Sequence, residues 1–248
     1  MLLYCVFGSL STAGYRFLTR RWSYKQRAEW LHVWSQTLLR LLEIRVVYHG
    51  LPTRNGMLVS NHVSYLDILL LSARHPIVFV AKSEVSRWPF FGWLAQCAGT
   101  IFIHRAQKSD VQRVGLEVTE LVKSGIVVCF FPEGSSTSGN ELLPFRSALF
   151  QPADENCWQV TPACIRYSVK DGCVEEDVAY WRDMVLVPHL FRMLSKKQID
   201  APVTYGNAIT GGIGRKKMAS SLEDEIRRML IPTQSRGLTQ QASVVSPK

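Results

Sequence analysis

GMLVSNHVSYLDILLLSARH, residues 56–75, changes its hydrophobic period once, and that change decides the fold. Met57 to Ser60 form a short apolar run of strand length, and near Tyr65 an apolar helix begins. A strand that runs straight into a helix is the repeating unit of an α/β sheet. His62 falls in the turn between the two, and Asp67 falls in the first turn of the helix.

The same alternation continues along the chain. The β-branched runs IRVVYH, MLVS, IVFVA, TIFIH, IVVCFF, VTPACI and APVTYG alternate with helical patterns near 66–74, 84–97, 108–123, 146–151, 186–195 and 215–230. Strands that are apolar throughout belong to sheets covered on both faces. The expected fold is therefore α/β, with a mixed, largely parallel sheet flanked by helices. No internal repeat is present.

At 248 residues and 47% hydrophobic content, the chain suits one sizeable domain with a real core. Three segments are expected: an N-terminal membrane-associating helical segment over 1–44, the main domain over 45–231 and a disordered tail over 232–248. MLLYCVFGSLSTAGY, at the start, is shorter than the roughly 20 apolar residues of a membrane span. It also lacks the positive leading region of a signal peptide, which leaves shallow anchoring or a buried helix. Residues 22–44 set Trp30, Leu31, Trp34, Leu38, Leu41 and Leu42 near one helical face, with Lys25, Arg27, Arg40 and Arg45 around it. That pattern fits an interfacial helix and a core-packed helix equally. The tail, PTQSRGLTQQASVVSPK, is polar and interrupted by proline.

Lys and Arg outnumber Asp and Glu by 29 to 20, a net charge of +9 that favours anionic partners. The six cysteines form no CxxC pair, and several sit in apolar segments, as free thiols in a reducing compartment do.

A carboxylate about one helical turn from a turn histidine can accept its Nδ1 proton and leave Nε2 free as a general base. The same residues also allow a plain structural reading. Asn61 or Ser64 would then cap the helix, and Asp67 would complement its dipole. The neighbouring strand ends favour chemistry, because ligands of open α/β sheets bind there. Four such ends carry His62, Lys82, Arg105 and Glu133.

With those residues in view, the chain resembles the glycerolipid acyltransferases typified by 1-acylglycerol-3-phosphate acyltransferase. NHVSYLD at 61–67, GTIFIHR at 99–105, FPEG at 131–134 and VTP at 160–162 stand in that family's order. AKSE with Pro89 and Gly92 looks like its link between the first two blocks. The resemblance covers about residues 44–210. It implies transfer of a fatty acyl group from an acyl-CoA or acyl-carrier-protein thioester to the free hydroxyl of a lysolipid, lysophosphatidic acid above all.

Carried over, His62 is the base, Asp67 its orienting partner, Lys82 and Arg105 bind phosphate, and Glu133 and Gly134 shape the acceptor site. Ser135 and the downstream Arg146 join that substrate-binding set. An activated thioester needs no enzyme nucleophile, metal or redox cofactor. One departure bears on the acceptor: Ser136 stands where many members of the family carry the second residue after FPEG as arginine, whose fork suits phosphate. That keeps a lyso-ornithine lipid open as acceptor, beside a non-catalytic lipid-binding role.

TGGIGRKK at 210–217 lacks phosphate-loop spacing, and no nucleic-acid fold signature accompanies the basic clusters. Attraction to anionic headgroups accounts for them, so the expected partner is a lipid surface on the cytoplasmic side and not a nucleic acid.

Overall fold

The computed structural model describes residues 22–88 and 90–231, together with the backbone of 243 and 244. The expected anchoring stretch at 1–15 lies outside the described residues. So does the expected tail, apart from 243–244. Among the described residues no helix is long and apolar enough to cross a membrane.

Helix α1 spans Tyr24–Leu41. Ser23 and Gln26 start it with a reciprocal capping box: Gln26 N–H donates to Ser23 Oγ, and Ser23 N–H donates to Gln26 Oε1. The strands and helices that follow are β1 (Val47–His49), β2 (Met57–Ser60), α2 (Leu66–Ser72), β3 (Ile77–Lys82), α3 (Phe91–Cys97), β4 (Ile101–Ile103), α4 (Lys108–Lys123) and β5 (Val127–Phe130). The second half holds α5 (Gln151–Glu155), β6 (Gln159–Ile165), β7 (Ser168–Val169), α6 (Val174–Asp177), α7 (Leu186–Leu194), β8 (Ile199–Asp200), β9 (Val203–Tyr205), β10 (Ile209–Thr210) and α8 (Arg215–Leu230). Ser243 and Val244 form β11, antiparallel to β1.

Strands β4, β3, β5, β2 and β6 lie side by side and parallel. Beyond β6 the sheet turns mixed, since β9 pairs antiparallel to β6 and β1 parallel to β9. The expected mixed, largely parallel sheet is thus present, and all seven apolar runs supply strands.

Side chains alternate between the two faces of the sheet. Met57, Val59, Val128 and Phe130 join Val114, Val118, Met218 and Leu222 in the core beneath α4 and α8. Leu58, Cys129 and Phe79 join Leu66, Leu70, Leu31 and Met193 on the other face, beneath α1, α2 and α7. Leu70 and Leu71 are fully buried. Burial of such a side chain contributes about 1.5–3 kcal/mol, which fixes α2 against the sheet and, with it, the turn that precedes it.

Three details depart from the sequence reading. The buried face of α1 is Ala28, Leu31, Ser35 and Leu39. Of the six apolar residues expected to share a face, only Leu31 belongs to it; Trp30 and Leu42 are partly buried beside it and Leu41 is exposed. Polar bonds decide this orientation. His32 Nδ1 lies 2.6 Å from the Ser72 carbonyl, and Gln36 Nε2 donates to the Ala73 carbonyl at 3.1 Å.

The helix expected over 84–97 is broken into a 3₁₀ turn, Ser83–Arg87, and α3. Trp88 is extended at φ −68°, ψ 129°, as the residue before Pro89 must be. The helix expected near 146–151 is a 3₁₀ turn, Ala148–Phe150, that runs on into α5 at Gln151–Glu155, where Pro152 occupies the first turn that tolerates it.

Candidate active site

Because β2, β3, β4 and β5 are parallel, their C-terminal ends share one edge of the sheet. Lys82 closes β3, and His62, Arg105 and Glu133 lie just past the ends of β2, β4 and β5, so the fold brings all four to that edge.

His62 Nδ1 lies 2.7 Å from Asp67 Oδ2. A carboxylate can only accept, so Nδ1 carries a proton, and it is Nε2 that bears the lone pair whenever the ring is neutral. The imidazole stacks on Phe131, with centroids 4.0 Å apart and planes 14° from parallel, so its ring plane is fixed as well. The His62 side chain is 23% exposed and Asp67 is fully buried, which leaves the ring open to a substrate and its partner shielded.

A buried carboxylate costs several kcal/mol unless its oxygens are satisfied. Asp67 Oδ2 also accepts the backbone N–H of Val63 at 2.7 Å and of Ser64 at 3.0 Å. Its Oδ1 accepts the Tyr167 hydroxyl at 2.6 Å. Asp67 therefore holds both the ring and the turn. Asn61 does not cap the helix. Its side chain bonds both ways to the backbone of Ile165 in β6, donating at 2.9 Å and accepting at 2.8 Å.

Glu133 supports the same turn from the β5 side. Its Oε1 accepts His62 N–H at 2.7 Å and its Oε2 accepts Leu143 N–H at 2.8 Å. Burial pushes the Glu133 carboxyl up to about 7, against the opposing pull of those two donors. The His62 carbonyl accepts Thr137 N–H at 2.9 Å, so the histidine backbone is held on both sides.

Gly134 explains how the cations approach. At φ +81° it has the left-handed backbone that favours glycine. A Cβ there would collide with Arg105 Nη1 and lie 3.0 Å from Arg146 Nε. Arg105 and Arg146 therefore close in on the bare glycine. Burial lowers the Arg105 pKa, and Arg146 adds to the shift; burial also lowers that of Lys82, with Arg105 and Arg146 contributing, while Glu84 opposes both. Among the described residues none of the three cations has an ion-pair partner, and Arg105 Nη1 is buried without a hydrogen bond. Unpaired cations gathered in this way have the charge and the donors that an anion would satisfy.

Ser135 is exposed beside this cluster. Ser136 donates its hydroxyl to the Tyr180 carbonyl, so its side chain ties the FPEG turn to the loop before α7. Tyr167, Phe131 and the Leu143 amide were missed from sequence. Phe131 lies within FPEG, but nothing in the sequence links Tyr167 to a residue 100 positions earlier.

A family model described as Acyltransferase matches residues 43–166, which span the dyad, the cation cluster and FPEG. The lyso-ornithine lipid O-acyltransferase of Rhodobacter capsulatus is 34% identical over 196 residues, 75% of this chain and 70% of that protein. The 1-acyl-sn-glycerol-3-phosphate acyltransferase of Neisseria gonorrhoeae is 40% identical over 152 residues, 61% of this chain and 59% of its own. The crystal structure of the 1-acyl-sn-glycerophosphate (LPA) acyltransferase PlsC from Thermotoga maritima has the same fold. It aligns with a TM-score of 0.62 at 16% identity, covering 94% of this chain and 96% of that one. By sequence match and by fold, the chain belongs to the acyltransferase family that includes the lysophosphatidic acid acyltransferases.

Proposed function

We propose that the protein transfers a fatty acyl group from an acyl-CoA or acyl-carrier-protein thioester to the free hydroxyl of lysophosphatidic acid, giving phosphatidic acid. His62 Nε2 takes the proton from the acceptor hydroxyl as its oxygen attacks the thioester carbonyl. The C–O bond forms, the C–S bond breaks, and the proton passes to the departing sulfur. Asp67 keeps the ring in the tautomer that can do this. The reaction needs no metal or redox cofactor, since the thioester is already activated.

The observation that carries the acceptor is the cation cluster. Arg105 and Arg146 crowd around Gly134, Lys82 lies close enough to feel both, and among the described residues none of the three forms an ion pair, an arrangement suited to a phosphate monoester. Arg105 and Arg146 supply the charge that Ser136 lacks. The protein acts at the cytoplasmic face of a membrane, where both the lysolipid and the thioester are available.

A second acceptor is favoured by a specific observation. Ser136 stands in place of an arginine, and relatives named for lyso-ornithine lipid match the chain over 75% and 79% of its length. An acceptor panel with products identified by mass separates the two. His62→Ala lowers turnover by at least about 10²-fold, the loss typical of a general base. Near wild-type turnover in that variant overturns the mechanism, and loss-free binding of lipid with no transfer to any acceptor would favour a lipid-binding protein.

A further inference from the structure

The edge of the sheet opposite the candidate active site holds a cavity of about 740 Å³. Its walls come from the N-terminal ends of three strands: Pro52 and Arg54 precede β2, Arg74 to Pro76 precede β3, and Gly125 and Ile126 precede β5. The first turns of α1 close it with Lys25, Ala28 and Glu29. These strands run parallel, so His62, Lys82 and Glu133 lie at their other ends, and the six residues of β3 alone span about 20 Å. A ligand here is clear of the dyad and of the cations around Gly134.

Three cations line the cavity, Lys25, Arg54 and Arg74, against one carboxylate, Glu29. Among the described residues none of the four forms an ion pair, and none of the three cations makes a side-chain hydrogen bond. Arg74 lies over the Tyr48 ring, 5.5 Å from its centroid, with its Nε buried and unbonded. The ring steadies the guanidinium and leaves its donors to another partner.

Beside Arg74, both ring nitrogens of His75 are buried without a hydrogen bond. Burial, with His32 and Arg74, lowers the His75 pKa to about 4, so near neutrality the ring is uncharged and can both donate and accept. Unanswered buried polar groups cost about 1–3 kcal/mol each, and their grouping at one cavity wall points to a partner that binds there. The rest of the lining is apolar. Pro52, Pro76 and Ile126 belong to it, as does Leu51, which at 81% is the most exposed large apolar residue among those described.

We propose that this cavity is a second ligand site, which takes a small organic phosphate monoester with an apolar or aromatic body. Near pH 7 such a phosphate carries a charge of about −1.5 to −2, which balances the three cations less Glu29. The arginine forks take its oxygens and the apolar wall takes its body. The volume falls within the roughly 300–1,000 Å³ of small-molecule sites.

The test is calorimetric titration of the full chain carrying Arg105→Met, which weakens the cluster at Gly134, with phenyl phosphate as the probe. Benzyl alcohol lacks the charge, and inorganic phosphate lacks the ring. Phenyl phosphate binds saturably, benzyl alcohol gives no binding heat, and inorganic phosphate is weaker by about tenfold. Adding Arg74→Met or Arg54→Gln weakens phenyl phosphate by roughly tenfold or more, as loss of a charge-assisted bond does. Arg54 is exposed, so its variant keeps the test decisive if Arg74→Met fails to fold. Hydrogen exchange slows at 51–56 and 124–127 on adding phenyl phosphate.

No saturable binding, binding that both added substitutions leave unchanged, inorganic phosphate as tight as phenyl phosphate, or protection confined to 131–146 overturns the inference. None of these readouts uses turnover. An inactive wild type would therefore refute the functional reading and leave this site standing, and failure here would leave the acyl transfer untouched.

Discussion

Tyr167 Oη and Asp67 Oδ1 lie 2.6 Å apart, which joins the strand-end loop after β6 to the carboxylate that orients His62. The bond occupies the Asp67 oxygen that His62 does not use. Tyr167→Phe removes it and leaves a fully buried acceptor unsatisfied, at about 1–3 kcal/mol of stability. In kinetics, kcat falls by about tenfold with both KM values within twofold of wild type, since the bond acts on the base and touches no substrate. A variant whose KM rises while kcat holds would contradict this.

Glu133 makes stability depend on pH in a defined direction. Burial lifts its carboxyl from 4.5 to about 7, so the folded protein holds the proton more tightly than the unfolded chain. The stability this provides is fully present below about 4.5 and is lost as pH rises through about 7. The whole loss is about 3 kcal/mol, at roughly 1.4 kcal/mol per pH unit. Urea unfolding of wild type and Glu133→Gln at pH 5 and pH 8 checks it: the advantage of wild type over the variant shrinks by 2–3 kcal/mol, on the order set by that slope. A constant difference would count against the buried carboxyl.

Arg105 should show a conflict between stability and activity. Burial and the neighbouring Arg146 disfavour its charge in the folded protein, so Arg105→Met, which keeps the apolar stem, relieves both. The ligand-free variant melts about 2–4 °C above wild type. It loses roughly 10- to 100-fold in turnover of phosphate-bearing acceptors, the range expected for a charge-assisted bond. Thermal melts with and without lysophosphatidic acid complete the test, since ligand raises the melting temperature of wild type alone. A variant that melts lower and keeps full activity would remove the anion site.

At Gly134 the argument is one of space. Alanine there must keep φ near +81° and push Arg105 and Arg146 away. The left-handed backbone alone costs about 1–2 kcal/mol. Gly134→Ala therefore raises the acceptor KM by about tenfold while the KM for the thioester stays put. Steady-state kinetics on each substrate in turn gives the answer.

Much of this site could be read from the chain itself because its residues follow strand ends. A β-branched run announces where a strand stops, and a parallel sheet then gathers the stops along one edge, so His62, Lys82, Arg105 and Glu133 came together as expected. Arg146 was singled out only as a cation able to supply the charge missing at Ser136, and its approach depends on the bare Gly134. Ser136 was singled out from sequence for the charge it lacks, yet its hydroxyl holds the Tyr180 carbonyl, a tertiary bond with no local pattern. The face of α1 was misjudged because hydrophobicity pointed to the tryptophans, whereas His32 and Gln36 bond the end of α2 and turn the helix. Periodicity records where apolar groups recur; it carries no record of which polar groups find a distant carbonyl.

Asn61 gives the turn its last property. Its amide faces the Ile165 backbone as another peptide would, and so adds a rung to the ladder just after β2 has ended. His62 is thereby mounted on the sheet itself, one residue past a counterfeit strand. A histidine mounted in this way has its backbone fixed to the sheet, so in the proposed reaction it is the lipid that does the travelling.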